Sequence, residues 1–149
     1  MTTNRMGFGH DVVAIAVFAE QLSMPGSRMR GLFSARELRQ AQTRARLKGD
    51  DEATHLAARW AGKEAVLKAW CEAVGEGEYP YTLDDFPWSQ IEILDDSRGR
   101  PHVVMSVEAE QRCRHSLSDV ADGGTSLQWH ISLTHDGGIA SAVAMLQYT

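Results

Sequence analysis

The stretch HLAARWAGKEAVLKAW, His55 to Trp70, constrains the fold more than any other part of this chain, because it demands a long helix with a partner surface. At about 100° per residue, Leu56, Trp60, Leu67 and Val74 define an apolar stripe, with Ala53, Ala57 and Cys71 on or beside it. Lys63 and Glu64 fall inside that stripe or at its edge, and Lys68 lies just outside, one turn after Glu64. A helix that packs on a core has no folding reason to carry Lys, Glu and Lys there. The charged intrusions therefore have to be explained by something other than a dry interior.

The surrounding chain reads as alternating strands and helices. GFGHDVVAI predicts a first strand ending near Asp11, which runs into a helix through AVFAEQL and stops at SMPGS. FSARELRQAQ starts a second helix, with Ser34 and Glu37 at the spacing of a capping box. The long helix ends near GEGEYPYTLDDFPW, whose Gly, Pro and acidic content reads as a surface excursion. IEIL, DDSRGRP and HVVM form a predicted hairpin, SVEAEQRCRHSL a short helix, and SDVADGGTS a loop. In LQWHISLTH, Trp129, Ile131 and Leu133 alternate with His130, Ser132 and Thr134, and the strand turns through DGG into IASAVAML. The expectation is an α+β fold, an antiparallel sheet packed with helices.

Length and composition favour one domain over residues 1–149: 149 residues, 43% of them hydrophobic, suffice for one ordinary core, and no internal repeat is visible. Cys71 and Cys113 are too few for a disulfide framework and have no CxxC spacing, which suits a reducing compartment. The apolar run in MTTNRMGFGHDVVAIAVF contains an aspartate, so it is read as neither signal peptide nor membrane span, and the cytoplasm is the expected location. Charge is uneven. From Arg28 to Lys48 seven basic residues face one acid, Glu37, a local +6 that leaves −11 for the rest of a chain of net −5. Such a segment fits an acidic or polyanionic partner, or simply a solvated helix face.

Phosphate-loop, complete dinucleotide-binding, zincin and calcium-loop motifs are all absent. What remains are polar residues at element ends: Asp11, the Lys63/Glu64/Lys68 group, and Thr134-His135. One carboxylate on a strand and one on a helix make the sparse set that Mg²⁺ accepts, since that ion keeps several waters and takes further oxygens from a substrate phosphate. A lysine one turn after the glutamate can contact the same phosphate. On spacing alone, Glu64 and Lys68 are equally an ordinary i,i+4 pair.

W-x-x-K-E-x-x-x-K, formed by Trp60, Lys63, Glu64 and Lys68 and preceded by LAAR, resembles the signature of the 4′-phosphopantetheinyl transferases, in their short, holo-(acyl-carrier-protein) synthase form. GHDVVAI stands where the family has G-x-D, FSARE matches F-[ST]-x-x-E, IEILDDSRGRP matches a strand and turn with G-x-P, and ISLTH matches S-[IL]-[ST]-H. These blocks run from Gly9 to Leu146 in the family's order.

The resemblance implies the transferase fold in its single-unit form and a reaction. The phosphopantetheine arm of coenzyme A passes to a serine of an apo acyl-carrier protein, or of a carrier domain of a fatty-acid or polyketide synthase, releasing adenosine 3′,5′-bisphosphate. In that scheme Asp11 and Glu64 bind Mg²⁺, Glu64 or a metal-bound water accepts the serine proton, and Lys68 contacts the pyrophosphate and helps the nucleotide leave. Lys63 is a second phosphate-side cation, and Gly99, Pro101, Thr134 and His135 belong to the nucleotide side. Relatives about twice this length fold two similar halves around one site, so a homotrimer with sites between subunits is expected. The helix AVFAEQL lacks the arginines by which many relatives grip the carrier, which shifts the expected docking surface to Arg36, Arg39, Arg44 and Arg46. His10 replaces a small or branched apolar residue, and AWCEAVGEG follows Lys68 where the family commonly turns on glycines. Neither nucleic acid nor membrane is an expected partner. The rival readings are a polyanion-binding module, which leaves both carboxylates unexplained, and a different Mg²⁺-dependent phosphate enzyme, which would turn over without coenzyme A.

Overall fold

A computed structural model describes residues 5–117 and 126–149; the loop expected at 118–126 lies outside them except for Ser126. The chain runs β1 (Arg5–Ala14), α1 (Ile15–Ser23), a 3-10 turn (Met29–Leu32), α2 (Ala35–Lys48), α3 (Glu52–Val74), a second 3-10 turn (Trp88–Gln90), β2 (Ile91–Asp95), β3 (Pro101–Met105), α4 (Val107–Leu117), β4 (Leu127–Asp136) and β5 (Ile139–Tyr148). The fold is α+β, with an antiparallel sheet in the order β1-β5-β4 and a separate β2-β3 hairpin. No helix among the described residues is long and apolar enough to cross a membrane.

The local chemistry explains most boundaries. Ser34 accepts from the Glu37 N–H while the Glu37 carboxylate accepts from the Ser34 N–H, the capping box that starts α2. Gly49, at φ 69°, ends that helix in the left-handed region that glycine adopts without steric cost. Between β4 and β5, Gly137 and Gly138 both have positive φ, as a two-residue hairpin turn requires. One boundary differs from expectation: β1 continues through Val12, Val13 and Ala14, each paired with β5, so Asp11 lies within the strand rather than at its end. The β-branched pair and the ladder outweigh the helix-like pattern that follows.

Helix α3 departs further from the sequence reading. Of the proposed apolar stripe only Leu56 is buried; Trp60, Leu67 and Val74 are half-buried. The true interior side is built from small residues, Ala57, Ala61, Ala65 and Ala69, with Val66 and Trp70. The reason is close approach. A Cβ on Gly9 would collide with the Ala65 carbonyl and stand 2.7 Å from the Ala69 nitrogen, and one on Gly7 would stand 2.8 Å from the Ala73 Cβ. Glycines on β1 facing alanines on α3 bring the two backbones together, and covering α3 on its other flanks with α2 and β2 leaves no polar side for an amphipathic period to report. Two core clusters meet on this helix, bridged by Val13 and Leu133.

Candidate active site

Alternation along β1 puts Gly7, Gly9 and Asp11 on the face that meets α3. The glycine seam therefore brings Asp11 close to the helix, where its carboxyl interacts with that of Glu64. The Asp11 side chain is 12% exposed; its Oδ1 accepts from Lys68 Nζ at 2.9 Å, and the same ammonium donates to the His10 carbonyl at 3.1 Å. The other oxygen, Oδ2, is buried without a partner among the described residues. Glu64 is half-buried beside it, and its carboxyl is pushed up to about 8, first by burial and then by the Asp11 carboxyl, with Lys68 opposing. Two carboxylates that resist sharing a negative site, one with an orphaned oxygen, have the donor chemistry of a small hard cation that keeps most of its waters. No cluster of three or more His, Cys, Asp or Glu suited to a metal occurs among the described residues, so any such ion would rest on this pair and on substrate oxygens.

Lys63 is not with them. Its side chain is fully buried, and its ammonium pairs with Glu37 Oε1 at 2.7 Å while donating to the carbonyls of Trp88 (2.6 Å) and Ile91 (2.7 Å). The expectation of a second phosphate-side cation is overturned: all three ammonium hydrogens are engaged inside the protein. Glu37, the capping-box residue, also accepts from the Ile93 N–H at 3.0 Å, so one buried ion pair joins α2, α3 and β2. Burial depresses the Lys63 ammonium, with the Glu37 carboxylate working in the opposite direction.

Gly99, Pro101, Thr134 and His135 do come together. They border a cavity of about 340 Å³ with Arg44, Lys48, His55, Arg59 and Asp95. Asp95 Oδ2 accepts from Arg44 Nε at 3.1 Å and from Arg59 at 2.9 Å, and Arg44 also donates to the Gly99 carbonyl at 3.0 Å. Arg59 is 3% exposed and its Nε is buried without a partner among the described residues. Three cations against one structural carboxylate give this cavity the charge to accept an anion. Gly99, at φ 75°, fits the turn without a Cβ, which would stand 3.0 Å from the Arg44 guanidinium. Sequence reading missed Lys48, His55, Arg59 and Asp95 as site residues. Only Arg59 carried a usable signal, as the last residue of the LAAR that precedes the motif.

The four arginines proposed for docking divide. Arg44 is committed to the cavity wall, and Arg36 forms a two-pronged ion pair with Glu92, so neither is an independent docking cation. Arg39 and Arg46 are exposed, seven residues apart on one side of α2, and form no ion pair among the described residues.

The carboxylate site and the anion cavity lie on different sides of α3. His55 and Glu64 are nine residues apart, which is about half a turn around the helix and roughly 13 Å along it, and none of Asp11, Glu64 and Lys68 borders the cavity.

Comparison with known proteins identifies the family. The model of the 4′-phosphopantetheinyl transferase superfamily matches residues 7–141. The chain is 60% identical over 144 residues to the holo-(acyl-carrier-protein) synthase of Bifidobacterium animalis subsp. lactis, covering 95% of this chain and 97% of that protein. It is 55% identical to that of Bifidobacterium adolescentis, covering 95% and 99%. Among solved structures, an ACPS–CoA complex from Chronobacterium ammoniagenes superposes with a TM-score of 0.81 at 36% identity, covering 97% and 98% of the two chains. Its apo form gives a TM-score of 0.83 at 36% identity, covering 99% of each. With the motif helix, the strand aspartate and the cavity turn all inside the matched span, this chain belongs to the 4′-phosphopantetheinyl transferase superfamily, as an enzyme of the holo-(acyl-carrier-protein) synthase type.

Proposed function

We propose that this chain transfers 4′-phosphopantetheine from coenzyme A to a serine hydroxyl of an apo acyl-carrier protein or carrier domain of a fatty-acid or polyketide synthase, with Mg²⁺, releasing adenosine 3′,5′-bisphosphate. The observation that carries the reading is the Asp11–Glu64 pair with its orphaned buried oxygen beside Lys68. Asp11 and Glu64 would hold the ion, which when bound supplies charge neutralisation on the pyrophosphate. The serine oxygen forms the new bond to the phosphorus nearer pantetheine, and the bond from that phosphorus to the bridging oxygen breaks. Glu64 would receive the serine proton. Lys68, 55% exposed at its side chain, can turn from Asp11 to the departing phosphate and stabilise its charge. Arg44, Lys48 and Arg59 give the cavity of His135 the charge to take the phosphates of the nucleotide side.

A symmetric homotrimer completes the reading. Within one chain the two sites stand on different sides of α3, while the outer face of the β1-β5-β4 sheet exposes Met6, Phe8, Val12 and Ile139 at about half their surface each. An uncovered apolar sheet face of this kind fits a subunit contact that sets one chain's carboxylates against a neighbour's cavity. The defining experiment incubates the protein with coenzyme A, Mg²⁺ and apo carriers and reads the carrier mass. Arrival of the phosphopantetheine group is the expected result, and phosphate release without coenzyme A would replace this reading with a different phosphate enzyme. Mixed Glu64→Ala and His135→Ala subunits should regain activity; a fully active monomer in light scattering would rule the shared site out.

A further inference from the structure

His55 is 5% exposed in the first turn of α3, and its Nε2 meets Asp50 Oδ1 at 2.6 Å. Asp50 belongs to the short connection between α2 and α3, so the carboxylate reaches the ring from the helix's own N-terminal side. The imidazole stands edge-to-face against that of His135, with centroids 5.8 Å apart and planes at 84°. Both rings border the cationic cavity. His135 sits near the end of β4, on the face of the sheet turned toward α3, one residue before the strand's last, and its side chain has no hydrogen bond or ion pair among the described residues. Its ring is left to packing contacts, and the ring it meets edge-to-face is itself hydrogen-bonded to a carboxylate.

We propose that Asp50 and His55 are positioning residues for His135: Asp50 orients His55, and the His55 ring holds His135 facing the cavity so that it can meet the nucleotide part of coenzyme A. The inference rests on the reading of that cavity as the nucleotide side. A preorganised ring loses less rotational freedom on binding than one that has to be recruited from several rotamers. An aromatic edge-to-face contact and an imidazole hydrogen-bonded to a carboxylate supply that preorganisation.

Isothermal titration of coenzyme A and steady-state kinetics test this with His55→Gln, which removes the ring but keeps a polar group for Asp50, with Asp50→Asn, with His135→Ala, and with the His55→Gln/His135→Ala double variant. His55→Gln should weaken coenzyme A by about tenfold, the scale of one oriented polar contact. Asp50→Asn should act in the same direction and less, with the KM for the carrier nearly unchanged in both. In the His135→Ala background, His55→Gln should add nothing further, because its effect passes through the ring already removed. A His55 that only supports the fold would lower the melting temperature and leave coenzyme A affinity within about twofold of the unaltered protein, which overturns the proposal. So does a tenfold loss that persists in full when His135 is already alanine, since His55 would then act on the ligand directly. Should His55→Gln fail to fold, Asp50→Asn, at a side chain about one-third exposed, carries the same test alone and in the His135→Ala background. Absence of coenzyme A binding by the unaltered protein would instead remove the underlying assignment of the cavity, a result distinct from both.

Discussion

Replacing Lys63 by methionine separates a structural lysine from a phosphate-binding one. Methionine keeps much of the stem and its volume, so the principal losses are the ammonium and its three partners. Glu37 would keep its bonds from the Ser34 and Ile93 N–H groups but lose its cation at 0% exposure, and the carbonyls of Trp88 and Ile91 would lose their donor. Breaking one side of a buried ion pair costs about 3–5 kcal/mol, because the surviving charge is stranded. At about 2–4 °C per kcal/mol for a chain of this size, the melting temperature should fall on the order of 10 °C. Adding Glu37→Gln removes the stranded charge and should return most of that loss. Differential scanning calorimetry reads the stability, and titration with coenzyme A, performed well below the lowered transition, reads binding. A Lys63→Met protein that melts within about 2 °C of the unaltered chain but binds coenzyme A tenfold more weakly would refute the reasoning and restore Lys63 to the phosphate side.

Four further outcomes are expected. Gly9→Ala should destabilise by about 3 kcal/mol or more and abolish activity, since its Cβ would strike backbone of α3 rather than a movable side chain; a normal chemical-denaturation midpoint would show that the seam can open. The Glu64 carboxyl, raised to about 8 in the fold, contributes stability that is full below its unfolded value of 4.5 and lost as pH rises through about 8. Discounted for a half-exposed group, the metal-free protein should therefore lose about 1–2 kcal/mol over that window relative to Glu64→Gln, and parallel pH profiles for the two would contradict the coupling. Asp11→Ala and Glu64→Ala should each lower turnover about 10²-fold or more with the fold retained by circular dichroism, and near-normal turnover in both would sink the metal assignment. Arg39→Glu/Arg46→Glu should raise the KM for the carrier, leave coenzyme A affinity unchanged and flatten the salt dependence; unaltered carrier kinetics at low ionic strength would return that side of α2 to an ordinary solvated surface.

Where local chemistry decides an element, the sequence showed it. The Ser34/Glu37 capping box, the DGG hairpin and the DDSRGRP turn each satisfy backbone groups within a few residues, and the structure has all three. Helix α3 was legible in extent and not in orientation. A hydrophobic period reports a helix with one wet side, whereas this one is covered on most of its circumference and uses alanine where it is packed closest, so larger apolar residues at half-buried positions dominated the pattern. Lys63 was unreadable for a related reason. Its adjacency to Glu64 suggests a shared cleft, but neighbours in a helix point about 100° apart, and the carboxylate that claims Lys63 comes from Glu37 on the preceding helix, hidden behind a capping role. The anion cavity draws on α2, α3, β2, the β2–β3 turn and β4, and no spacing rule joins residues so distributed.

The glycine–alanine seam between β1 and α3 connects folding to function more directly than any motif residue. Three demands meet there: the strand must lie against the helix closely enough for backbone contact, Asp11 must reach the level of Glu64, and Lys68 must reach the His10 carbonyl. All three follow from the absence of side chains at Gly7 and Gly9, because a Cβ at either position would push the strand away from the helix and the carboxylates apart with it. A wider separation would also hydrate Asp11 and relieve the burial that holds the Glu64 proton. The same close packing that makes α3 a buried core helix thus makes its one half-open side chemically useful: the strand is near enough to supply a second carboxylate, and the small residues leave that pair too poorly solvated to be satisfied by water alone. An Asp and a Glu at these positions on a loosely packed strand and helix would be two ordinary surface acids.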